Sequence, residues 1–120
     1  MHINEIMRIN VQRSQRWHGK DGINQWSPLE WAGAMAGEAG EACNAAKKLK
    51  RLQDEIPSIN EGERHFNDIA NVKHHIAKEV ADTILYALLL VSRIGVTDFE
   101  TILQEVYNKK SEEYGFPERI

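Results

Sequence analysis

An all-α domain is the fold class predicted for this chain of 120 residues, and three observations predict it. Apolar residues recur at helical spacing, most plainly in Ile69, Val72, Ile76, Val80, Thr83, Ala87 and Val91. No stretch alternates apolar and polar residues for long enough to compete as a strand. Two N-capping signatures, Ser27-Pro28-Leu29-Glu30 and Thr97-Asp98-Phe99-Glu100, stand before apolar runs, the first with Pro at the opening helical position. Together they predict a four-helix bundle in a single domain over 1–120, and the thin first helix and the Gly33, Gly37 and Gly40 stripe of the second predict that it is oligomeric.

The first helix runs roughly from Asn4 to Arg16 on a narrow stripe of Ile6, Met7 and Val11. A Gly-rich polar loop, His18 to Asn24, leads to the first capping box. Helix two continues from Pro28 to about Arg51. At 100° per residue, Trp31, Met35, Ala39, Ala42, Cys43 and Ala46 make one apolar arc, with Gly33, Gly37 and Gly40 nearly opposite. Each Gly costs about 1 kcal/mol against Ala in a helix, so the stripe predicts a close-packed neighbour and a helix buried almost all round. Periodicity then fails over about 53–67, where Pro57, Ser58, Asn60 and Gly62 predict a long loop, mobile or functional. Helix three starts near Asn67 or Asp68 and ends at Gly95, with Val96 as a hydrophobic C-cap. Helix four carries Phe99, Ile102, Leu103, Val106 and Tyr107 and stops at Gly115 and Pro117.

Composition excludes several classes of function. Fifteen Lys and Arg against 18 Asp and Glu leave a net charge of -3, without the positive field that DNA or RNA binding relies on. The apolar stretch Ile84 to Val91 falls far short of the roughly 20 residues of a membrane span. The single Cys43 cannot form an internal bridge and reads as packing, and with no targeting segment apparent a cytoplasmic location is expected.

The acids are where chemistry is expected. Glu38 and Glu41 are three apart on helix two, and Glu79 and Asp82 are three apart on helix three, so each pair shares a helix face. Carboxylates on apolar helices are costly unless a cation meets them. If the two helices lie side by side, four acids converge and call for a hard divalent ion. Oxygen-only ligands favour Mg²⁺, or Mn²⁺, over Zn²⁺. The alternative is a set of solvated acids salt-bridged to Lys48 and Lys78. His75, four residues before Glu79, either reaches this site or faces solvent.

Ala36-Gly37-Glu38-Ala39-Gly40-Glu41 followed by Glu79-Val80-Ala81-Asp82 resembles the paired acidic motifs of the all-α nucleoside triphosphate pyrophosphohydrolases, the MazG-like superfamily that includes dimeric dUTPases. The resemblance spans about 26–119. Gly37 stands where the family has the first Glu of its E-E pair, and the spacer between the motifs is longer than usual. The resemblance implies metal binding by Glu38, Glu41, Glu79 and Asp82. It also implies attack of water on the α-phosphorus of a nucleoside triphosphate, a non-standard or deoxynucleotide, giving the monophosphate and pyrophosphate. Glu38 or Glu41 would take the water proton.

Four carboxylates cancel two Mg²⁺, so a bound triphosphate still needs cations, for which Lys47, Lys48, Lys109 and Lys110 are candidates, with Arg119 behind them. Trp26, Trp31, Asn44 and Tyr86 are candidates for base or sugar contact, and each could equally serve packing or solvation. A homodimer or homotetramer is expected. The alternatives are a non-catalytic helical interaction or regulatory protein, and a phosphoribosyl-ATP pyrophosphohydrolase.

Overall fold

A computed structural model of the chain describes residues 2–120. It is all-helical, with α1 over Ile3–His18, α2 over Pro28–Asp54, α3 over Gly62–Arg93 and α4 over Phe99–Tyr114. Short 3₁₀ turns cover Gly19–Gln25 and Ile59–Glu61, and no strand occurs among the described residues. The chain divides into two compact units, one formed by Leu29–Ala87 and the other by the remaining described residues.

The Leu29–Ala87 unit is an antiparallel helix pair. Trp31 meets Tyr86 with ring centroids 6.2 Å apart, Glu38 lies beside Glu79, and Ala45 and Val72 line one groove. On α2 the shielded positions include Trp31, Met35, Glu38, Ala42, Ala45, Leu49 and Leu52, spaced alternately by four and three, with Ala32, Ala34 and Ala39 partly shielded beside them. This is the seam spacing of paired helices. It corrects the apolar arc read from the sequence, since Cys43 and Ala46 are exposed. The helix is not buried all round: only Trp31 and Ala45 are buried along it. Gly33, Gly37 and Gly40 are exposed, and a Cβ added at any of them would meet nothing within 4 Å, so no neighbour among the described residues packs on that stripe.

The long loop expected over 53–67 contracts to 55–61. Helix α2 runs on to Asp54, whose carboxylate accepts from Lys50 Nζ at 2.8 Å, and α3 begins already at Gly62. Glu63, Arg64, Phe66 and Asn67 on its first turns are exposed. A helix end with little buried face carries no apolar period, which is why the sequence pattern does not reveal it.

In the other unit, Asn4 of α1 ties that helix to the start of α4 with both its side chain and its backbone. Asn4 Oδ1 accepts from the backbone N–H groups of Phe99 and Glu100 at 3.0 and 3.1 Å, and Asn4 Nδ2 donates to Asp98 Oδ1 at 3.0 Å. The Asn4 backbone N–H donates to Glu100 Oε1 at 3.0 Å. The helix is also capped by Asp98, which accepts from the Thr101 N–H and hydroxyl, so the cap stands one residue beyond the expected Thr97. The hydrogen bonds from Thr101 and then Asn4 hold the Asp98 carboxyl below its ordinary value. Its contribution to stability is therefore present above the unfolded-state pKa of Asp and is lost as pH falls through the lowered one. Asn4→Ala leaves two helix N–H groups without their acceptor and is expected to cost about 1–3 kcal/mol in urea denaturation. Asn4→Asp is expected to rescue little, because a carboxylate there cannot donate to Asp98 and repels Glu100.

The stops of α3 and α4 follow the sequence reading. Gly95 at φ 91° lets its N–H donate to Ser92 O while Val96 N–H reaches Val91 O, the paired bonds of a left-handed glycine terminus. Gly115 closes α4 in the same way, with bonds to Glu112 O and, from Phe116, to Ser111 O. Buried Met7, Leu88 and Leu89 form the apolar core of this unit.

Candidate functional site

The seam of the α2–α3 pair is apolar or small at most levels, and at one level it is acidic. Glu38 and Glu79 both occupy shielded seam positions, the Glu79 side chain being 15% exposed. Asp82, one turn after Glu79, is exposed and turns toward them, so that a carboxylate oxygen from each of the three lies within 4.8 Å of the others. The register set by Trp31 opposite Tyr86 and Ala45 near Val72 brings the two acids to the same height.

This arrangement has an electrostatic signature. Glu38 is raised above the usual glutamate range, first by a side-chain hydrogen bond with Glu79, then by desolvation and by the negative charges of Glu79, Asp82 and Glu41. A shared proton is one way for such acids to coexist and a bound cation is the other. Neither Lys48 nor Lys78 lies within ion-pair distance of any of the four acids, so the salt-bridged alternative does not hold among the described residues. The three oxygens suit a hard divalent ion, for which carboxylates are the natural ligands.

Because the folded-state pKa of Glu38 lies above its unfolded value, the folded chain binds more protons than the unfolded one between the two. Stability of the cation-free protein is then expected to fall as pH rises through that window, and to recover at neutral pH when Mg²⁺ is added. Thermal melts at pH 4.5 and 7.5, with and without EDTA, check both signs.

Glu41 is exposed and stands outside the triad, close enough for its charge to act on Glu38. It lies at the head of an open groove of about 380 Å³ between the two helices, which Asn44 and Lys48 also line from α2. From α3 come Asn71 and His75, the latter with Nε2 3.6 Å from Glu79 Oε1. Asn71 carried no signal in its own neighbourhood of the sequence. An antiparallel register with Glu38 opposite Glu79 would have found it, since that register brings Asn71 level with Asn44 to Lys48.

The remaining candidates are placed as follows. Lys47 lies on a different flank of α2, with Lys50, Arg51 and Asp54. Trp31 is 1% exposed and packs against Tyr86, so it serves the core and offers no open ring face to a base. Tyr86 is half-buried. In the other unit, Trp26 meets His18 edge-on at 5.0 Å and its carbonyl accepts from Arg93 Nε at 2.8 Å. Lys109 is exposed, Lys110 lies over the Tyr114 ring, and Arg119 donates to the Phe116 and Glu118 carbonyls. Cys43, expected to pack, is exposed. No helix among the described residues is long and apolar enough to cross a membrane.

No family model matches the chain, and no characterised protein or solved structure is detectably similar to it.

Proposed function

We propose that this chain is a divalent-cation-dependent nucleoside triphosphate pyrophosphohydrolase of the MazG-like kind, acting on a non-standard or deoxynucleotide in the cytoplasm. The observation that carries the reading is the convergence of Glu38, Glu79 and Asp82 within 4.8 Å, at a level where two helices would otherwise close an apolar seam. Glu38, Glu79 and Asp82 would hold the ion. When bound there, Mg²⁺, or Mn²⁺ in its place, supplies positive charge against the phosphates and lowers the pKa of the attacking water.

Glu41, outside the triad and one turn from Glu38, is the carboxylate left to accept the water proton. The water oxygen forms a new bond to the α-phosphorus. The bond from that phosphorus to the α–β bridging oxygen breaks, and its electron pair leaves on pyrophosphate. Lys48 is the cation this unit offers to the phosphates, and Tyr86 is its candidate for contact with the nucleoside. A homodimer or homotetramer is part of the proposal, supported by the bare Gly33, Gly37 and Gly40 stripe and by exposed Ile102, Leu103 and Val106 on α4.

The test is pyrophosphate release, with Mg²⁺, from a panel of standard, deoxy- and modified nucleoside triphosphates together with phosphoribosyl-ATP. Release from phosphoribosyl-ATP alone would move the assignment to that substrate. Release from none would favour a helical interaction protein, the reading that the exposed apolar face of α4 supports.

A further inference from the structure

The groove beside the acids has a chemistry of its own. Its floor is Ala45 and Val72, 7% and 8% exposed, its walls carry Asn44 and Lys48 facing Asn71 and His75, and Glu41 is its one acidic lining residue, at the end toward the triad. The four side chains of the walls, Asn44, Lys48, Asn71 and His75, can all donate hydrogen bonds: two carboxamide NH₂ groups, an ammonium and an imidazole N–H. Phosphate oxygens only accept. We propose that this groove is the subsite for the pyrophosphate leaving group, with Asn71 and His75 as members of it beside Asn44 and Lys48. The proposal rests on the pyrophosphohydrolase reading above.

Three features argue for this end of the substrate. An α-phosphorus held among the acids has a nucleoside to place on one side and two further phosphates on the other. The groove has no ring except the His75 imidazole, so it lacks the broad aromatic face on which a base stacks. In the opposite direction along the same helix pair stand the aromatic rings of buried Trp31 and half-buried Tyr86, a level without a cation among the described residues to meet phosphates.

The donors are also aimed in part. Side chains on a helix lean toward its N-terminus, so Asn44 and Lys48 lean back along α2 toward Glu41 and the acids. His75 stands within 3.6 Å of Glu79, which ties one donor of the groove to a carboxylate of the triad. As the α–β bond breaks, its electron pair raises the negative charge on the departing pyrophosphate, and these donors meet that charge.

Calorimetric titration of inorganic pyrophosphate into protein saturated with Mg²⁺ tests the assignment, using the wild type, Lys48→Ala and the double variant Asn44→Ala/Asn71→Ala. All three positions are exposed, and far-ultraviolet circular dichroism checks that each variant is folded. Pyrophosphate affinity is expected to fall about tenfold or more in both variants, with Mg²⁺ affinity unchanged. KM is expected to rise by a similar factor for every nucleotide, whatever its base. Variants that bind Mg²⁺ and pyrophosphate like the wild type overturn the groove assignment alone, as do variants that alter the ranking of bases. A wild type that binds no Mg²⁺ overturns the groove and the functional reading together.

Discussion

Glu79→Gln is expected to reduce pyrophosphate release by at least about a hundredfold while leaving the helix pair folded. Glu79, its side chain 15% exposed, is the partner whose hydrogen bond and charge raise Glu38. The amide keeps the shape and removes the charge, so the ion loses a ligand and Glu38 loses its principal repulsion. Two readouts separate this from simple damage. Without cation, the variant should melt at or above the wild-type temperature. With Mg²⁺ at a hundredfold excess over Kd, the wild type should gain about 2.7 kcal/mol, on the order of 10 °C for a chain this size, and the variant far less. A Glu79→Gln protein that hydrolyses nucleotides at the wild-type rate would remove these acids from the chemistry.

Trp31→Ala is the substitution expected to damage the fold most. Trp31 is 1% exposed, and only six hydrophobic residues among those described are buried. Truncating a buried Trp costs about 3–5 kcal/mol, a large share of the 5–15 kcal/mol that holds an ordinary domain together. The midpoint of urea unfolding should fall accordingly, and Trp31→Phe should recover more than half of the loss. The effect should reach the site as well. Trp31 against Tyr86 helps fix the register that puts Glu38 level with Glu79, so the Mg²⁺-induced rise in melting temperature should shrink in Trp31→Ala, even at a temperature where the protein is still folded. An undiminished Mg²⁺ response would show that the acidic level is aligned by its neighbours nearer Ala45 and Val72.

Helix identities and most helix ends were legible because their causes are local. Gly95 and Gly115 stop helices by adopting positive φ, Pro28 opens one, and no other part of the chain is needed to see this. The boundaries misread are those with no local cause. Beyond Arg51 on α2 only Leu52 is shielded, and on α3 Glu63, Arg64 and Phe66 before Asn67 are exposed, so these ends bury too few apolar residues to show the period by which a helix is recognised. The cap of α4 moved from Thr97 to Asp98 because Asn4, far away in sequence, supplies the acceptor for the next two N–H groups.

The same division runs through the candidate site. Two acid pairs at spacing three, on helical segments, could be named from the sequence alone, because spacing on one helix decides which side chains share its face. Which members of the two pairs meet depends on how one helix is rotated and slid against the other, and that is set by packing between residues distant in sequence. The tertiary structure alone therefore separated Glu41 from the triad of Glu38, Glu79 and Asp82, turned Lys47 away while leaving Lys48 on the groove, and brought in Asn71. A seam spaced by four and three cannot be told from an arc one residue away until a partner helix selects it, and that selection is a property of the pair.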